Sequence, residues 1–211
     1  MPFELNAVET RVLGCLLEKE RLTPENYPLS LNAVAMASNQ STNRDPVTAY
    51  DESTVQAGLD GLREKKLVTM VSGAGMRVVK YRHRLPEHYD LPPPESALLC
   101  VLLLRGEQTP GELRQRCERM YPFATIEDVQ NSLDALASDD RGLVSMMPAR
   151  PGQKERRYVQ RLSSASVLAE PAGDSMEPAI PALPLAERVA ALEAEMQRLR
   201  AELETFRKQF E

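Results

Sequence analysis

Apolar residues recur along this chain at helical spacing in separate blocks, and one block is written twice. Val55, Leu59 and Leu62 fall at i, i+4, i+7 within DESTVQAGLDGLREKK (51–66), as do Val129, Leu133 and Leu136 within TIEDVQNSLDALAS (125–138). That period lines one face of an α-helix. Polar companions return as well: Gln56 and Asp60 reappear as Gln130 and Asp134, at a common offset of 74 residues. Each helix feeds a short β-prone run, 67–71 or 143–147, and a second run follows at 77–83 or 156–162. A helix leading into a two-stranded ribbon, twice, is the pattern of a winged helix-turn-helix, whose third helix commonly enters a DNA groove.

The segments around each block repeat too. Asn6 with Glu9 three residues on reads as a capping box, and Val8, Val12, Cys15, Leu16 and Leu17 supply a buried stripe for helix one. Thr23, Pro24 and Glu25 end it, because proline fixes φ and removes a donor. A second helix is expected over 29–38, a polar loop over 39–50, and a third helix from Asp51. The ribbon turn is Ser-Gly-Ala-Gly at 72–75, and 85–94, with three prolines, reads as a stiff connector. The plan then restarts. Cys100 in 95–104 stands where Cys15 stood, Thr109-Pro110 echoes Thr23-Pro24, 111–120 is a second helix, and Thr125 caps a third with Asp128 at N3. Tyr158, Arg161 and Leu162 repeat Tyr81, Arg84 and Leu85 at an offset of 77. The offset is 85 in the first helices and 74 in the third, so the first copy carries about eleven extra residues, largely 39–50.

The predicted class is mainly α with small β-hairpin wings (α+β): tandem winged helix-turn-helix domains at 1–88 and 89–163, a linker at 164–184 rich in Ala, Ser and Pro, and a C-terminal coiled-coil helix at 185–211. In that last stretch Leu185, Val189, Leu192, Met196, Leu199, Leu203 and Phe206 alternate in steps of four and three. With Leu185, Leu192 and Leu199 at d, Val189, Met196 and Leu203 fall at a. Arg188 then faces Glu193 of a parallel partner, Glu195 faces Arg200 and Glu202 faces Arg207, all opposite in sign. A homodimer through this helix is expected over the alternative, an amphipathic helix docked on its own domain.

Charge modifies the picture. The net charge is −5, but residues 1–85 hold 11 basic and 10 acidic side chains, 86–162 hold 10 and 12, and 163–211 hold 5 and 9. A protein that wraps nucleic acid non-specifically is more basic than this, so DNA contact has to come from local patches. The first wing provides one. No acid lies between Glu64 and Glu87, while Lys65, Lys66, Arg77, Lys80, Arg82 and Arg84 do, and alternation puts Lys80, Arg82 and Arg84 on one ribbon face. The second offers Arg150, Lys154, Arg156, Arg157 and Arg161 against Glu155. Such cations suit phosphates, or else merely keep a ribbon edge soluble. On helix three, Ser53, Gln56 and Arg63 could reach bases or phosphates, whereas its second copy exposes Glu127, Asp128, Asn131 and Asp134, the wrong sign for a phosphate wall. The first domain is therefore expected to read double-stranded DNA, and the second to serve a protein partner.

Candidate chemistry is sparse. The two histidines, His83 and His88, have no cysteine nearby, so a zinc site lacks ligands. No nucleophile elbow, phosphate loop or dinucleotide fingerprint occurs, and Gly73-Ala-Gly75 reads as a turn. Neither an enzyme nor a cofactor or metal is expected. Cys15, Cys100 and Cys117 are scattered and odd in number, as suits reduced thiols of a cytoplasmic protein. No signal peptide and no membrane span is read in the chain.

LLEKERLTPENYPLSLNAVAMASNQSTNRDPV (16–47), KYRHR (80–84) and LLLRGEQTPGELRQR (102–116), together with the C-terminal heptads, closely resemble the YceH family of bacterial proteins. The resemblance covers nearly the whole chain. It implies a tandem winged-helix fold and no particular activity. Ser38 and Ser41 stand where that family often has Cys and Lys, so it implies neither thiol chemistry nor an obligatory phosphate contact at the 39–47 loop of this chain. Two readings of that loop remain open: Asn43 and Arg44 contacting a nucleic acid or protein, or an Arg44–Asp45 pair with Asx turns locking the insertion onto helix three. Two functions follow from the sequence: a dimeric DNA-binding regulator, or an adaptor whose winged helices bind other proteins.

Overall fold

The computed structural model describes residues 3–73, 78–138, 140–147 and 155–163, all within one compact unit. It is mixed α/β with small antiparallel sheets. The order is α1 (Ala7–Leu22), a 3-10 turn (Pro24–Asn26), β1 (Leu29–Ser30), α2 (Leu31–Ser38), α3 (Glu52–Glu64), β2 (Val68–Val71), β3 (Lys80–His83), α4 (Leu85–His88), α5 (Pro93–Arg105), α6 (Pro110–Cys117), α7 (Ile126–Ala137), β4 (Val144–Met146) and β5 (Tyr158–Gln160). The linker expected at 164–184 and the heptads from Leu185 to Phe206 lie outside the described residues, as do Arg77, Arg150 and Lys154.

Local chemistry sets the helix starts. Asn6 and Glu9, Thr109 and Glu112, and Thr125 and Asp128 each form a reciprocal capping box, and Asp51 accepts from Thr54 N to start α3. Each such cap stabilises by about 1 kcal/mol. Two expectations need correction. Leu29 and Ser30 do not open the second helix but form β1, which adds to the ribbon as a third strand in the order β1-β3-β2, with Leu29 opposite Tyr81. Within the connector expected at 85–94, Leu85–His88 closes a helical turn and α5 already begins at Pro93.

In chain order the second half repeats the first: three helices, then a two-stranded ribbon. Even the third strand has a counterpart, since Gln108 bridges Tyr158 as Leu29 pairs with Tyr81. The halves share one core. Leu13, Leu16 and Leu17 of α1 and Leu98, Leu99 and Leu102 of α5 belong to a single buried cluster, and among the described residues α1 packs on α5 more extensively than any other two helices pack. Gly14 permits that approach: a Cβ there would lie 2.8 Å from Leu104 Cδ2, and Gly14 O sits 3.5 Å from Cys100 Sγ. The ends of the unit also meet. Leu5 N donates to Leu162 O at 2.8 Å, and the hydroxyls of Thr10 and Ser163 lie 2.7 Å apart.

Candidate nucleic-acid interface

β3 alternates as expected. Tyr81 and His83 turn into the core, while Lys80 is half-buried and Arg82 is exposed. His83 is held by its backbone N–H donating to Tyr27 OH at 2.8 Å and by Nε2 lying 2.9 Å from Glu20 Oε2. That bond outweighs burial and holds the Glu20 carboxyl below its ordinary range. Arg82 and Arg84 both reach Glu87 on α4, at 3.2 Å from Nη2 and 2.6 Å from Nε, so α4 brings a carboxylate to a ribbon that sequence alone leaves wholly cationic.

On α3, Ser53 and Arg63 are exposed; Ser53 donates to Asp51 at 2.9 Å and Arg63 to Asp60 at 2.7 Å. Gln56 is committed inward. Its amide donates to Asp60 Oδ2 at 3.0 Å and accepts from Tyr81 OH at 3.1 Å, tying helix to ribbon. The second half repeats the link: Gln130 donates to Asp134 at 3.2 Å and meets Tyr158 OH. A second link is duplicated as well. Buried Glu9 pairs with Lys65 at 2.6 Å, and buried Glu95 pairs with Arg141, each joining the first helix of a half to the turn after its third.

Arg44 is not at the surface, which corrects its place among the contact residues. It is 4% exposed, and its guanidinium forks onto Glu18 at 3.0 and 2.7 Å while Nε donates to Ala37 O at 3.0 Å. The loop is anchored, but Arg44 ties it to Glu18 on α1 and Ala37 on α2, which corrects the expected Arg44–Asp45 pair locking it onto helix three. Desolvation pushes the Glu18 carboxyl up, but the Arg44 fork outweighs it and the net shift is downward. Asn39 completes the clamp by bonding both the N–H and C=O of Tyr50, at 2.8 and 2.7 Å.

In the second ribbon Arg156 is exposed, its Nη1 3.4 Å from Met146 Sδ, whereas Arg157 binds Glu107 O at 2.9 Å and Glu112 at 3.2 Å. At the surface of the first half the structure thus leaves Ser53 and Arg63 on α3, Arg82 and half-buried Lys80 on β3, and exposed Lys66 just beyond α3. Gln56 and Arg84 serve as ties, and so does Arg157.

Sequence reasoning missed a groove of about 630 Å³ between α6, α7 and the second ribbon, lined by Pro110, Ile126, Asp134, Met146, Glu155 and Tyr158 among others. Ile126 is 53% and Met146 47% exposed. The available signal was Ile126 itself, which extends the Val129–Leu133–Leu136 stripe by one turn where the first half has Glu52.

The thiols are buried and chemically quiet. Desolvation raises all three, Cys117 to about 12. Among the described residues no cluster of His, Cys, Asp and Glu could hold a metal ion, and no helix is long and apolar enough to cross a membrane.

Residues 5–153 match the family model described as "Protein of unknown function, DUF480". The chain belongs to this family. It is 49% identical to a "UPF0502 protein" of Opitutus terrae over 93% of this chain and 83% of that protein. Identity is 45% with a "UPF0502 protein" of Pelobacter propionicus, over the full length of both chains. A "UPF0502 protein" of Geobacter sulfurreducens is 46% identical over the full length of both chains.

Proposed function

We propose that this DUF480 protein is a non-enzymatic, cytoplasmic DNA-binding protein of tandem winged-helix type, the fold implied by the resemblance to the YceH family, dimerised through residues 185–211. The observation that carries the reading is the first ribbon: Lys80 and Arg82 stand on the face of β3 away from Tyr81 and His83, which anchor the strand, and α3 of the same half exposes Ser53 and Arg63. The acidic outer face of α7 supports assigning duplex contact to the first half. Phosphate contacts make affinity fall with salt, each by about one unit of log–log slope. Labelled duplex DNA titrated across a salt series is therefore expected to show a steep dependence, and Lys80→Ala with Arg82→Ala should reduce the slope by about two. Removal of 185–211 should halve the mass seen by light scattering.

A second reading, a protein adaptor, is favoured by the groove of the second half, where Ile126 and Met146 lie open between Asp134 and Glu155. Absence of DNA binding even at low salt would leave this reading standing and overturn the first.

A further inference from the structure

Three distinctive strings of the sequence, NRDP, LLLRG and ELRQR, converge where the two halves meet. Asn43 from the inserted loop, Arg105 at the end of α5, Arg116 on α6 and Arg119 just after it line a small cleft with Glu18, Leu22 and Met120. We propose that this cleft binds a single tetrahedral oxyanion, the phosphate group of a small phosphorylated molecule.

Charge is the first argument. Glu18 is the acidic lining residue, and both its oxygens are taken by Arg44. Arg116 lies 3.7 Å from Glu112, a carboxylate already shared with Arg157 and with the N–H of Thr109. Arg119 has no partner among the described residues, and Arg105 spends Nη1 on Asn43 Oδ1 at 3.0 Å while its Nε is buried without an acceptor. Burial first, and then the proximity of Arg116, pulls the Arg105 pKa down, and the nearby carboxylates of Asp45 and Glu112 oppose that shift without cancelling it. An oxyanion presents the acceptors that these guanidinium forks lack.

Size is the second argument. The cleft holds about 40 Å³, roughly three times what one water requires, which suits one phosphate group and not a nucleic-acid strand. Position is the third. Arg116, Glu112 and Arg157 form a chain of ion pairs from the cleft to the residue preceding β5, so an anion that draws Arg116 away from Glu112 alters what holds the second ribbon.

The test is isothermal titration of the full-length protein with inorganic phosphate at constant ionic strength. Saturable one-site binding is expected. Arg116→Gln and Arg119→Gln should each weaken it at least about threefold and together about tenfold. Arg161→Gln, on an exposed residue outside the cleft, should leave it unchanged. Arg119 is exposed and makes no bonds among the described residues, so its variant stays informative if Arg116→Gln does not fold. No saturable binding by the wild type, or equal losses in Arg119→Gln and Arg161→Gln, overturns the proposal. Glycerol phosphate competing at least as well as inorganic phosphate supports a small-molecule source, whereas a DNA duplex displacing phosphate one for one overturns it.

Discussion

The two halves of this molecule share one set of internal ties and differ in what surrounds them. Both tie the third helix to the ribbon through Gln, Asp and Tyr, and both tie the start of the first helix to the turn after the third through a buried glutamate and a cation. Those ties fix a helix–ribbon angle, and their recurrence separates what the module needs from what each copy adds. The first copy adds the inserted loop and its Glu18–Arg44 anchor, with Lys80 and Arg82 facing outward. The second adds an acidic helix face and an apolar groove.

Physical separation should break the comparison most completely. Residues 1–91 alone would expose Leu13, Leu16 and Leu17, which are buried in the core shared with α5. The isolated fragment is expected to lack a cooperative urea transition, and a sharp one would mean that the halves are independent.

Next comes the asymmetric anchor. Removing one partner of a buried ion pair leaves an uncompensated charge, at about 3–5 kcal/mol. Arg44→Ala should lower stability by that amount in urea unfolding, and a loss below about 1 kcal/mol would show the loop to be loosely held. Gly14→Val should cost about 1–3 kcal/mol by forcing α1 off Leu104. The duplicated ties give a smaller, matched effect: Gln56→Ala and Gln130→Ala should each cost about 1 kcal/mol, and a large inequality would show that the copies rely on them differently.

Acid should weaken both halves: in the second, desolvation pushes the Glu112 carboxyl up, but the Thr109 N–H and the charge of Arg157 outweigh it and the net shift is downward. Glu18 and Glu20 have folded-state pKa values below their unfolded ones. Their contribution is complete above the ordinary carboxylate pKa of about 4.3 and is lost as pH falls through the lower folded values. A Glu18→Gln variant should therefore show a flatter decline of urea midpoint below that pH than the wild type.

What could be read from the sequence was local. Asp51, Thr125 and Asn6 announce their helices because a cap and its N–H lie within three residues. The repeat was legible because duplicated apolar spacing needs no knowledge of the third dimension. Arg44 was misread because its partner is 26 positions away on α1, while Asp45 is adjacent in sequence and absent from the pairing. Gln56 looked like a free polar group because only the fold lays Tyr81 across it. The cationic stretch before Glu87 looked unopposed for the same kind of reason: α4 turns that glutamate back onto Arg82 and Arg84. β1 is two residues long, too short for alternation to register.

The hydrogen bond from Leu5 N to Leu162 O leaves the two extremities of the unit side by side. Connectivity is therefore negotiable in a way that packing is not: a circularly permuted chain, opened near residue 90 and rejoined by a linker long enough to turn back from Ser163, which runs parallel to Leu5, would place the second half ahead of the first.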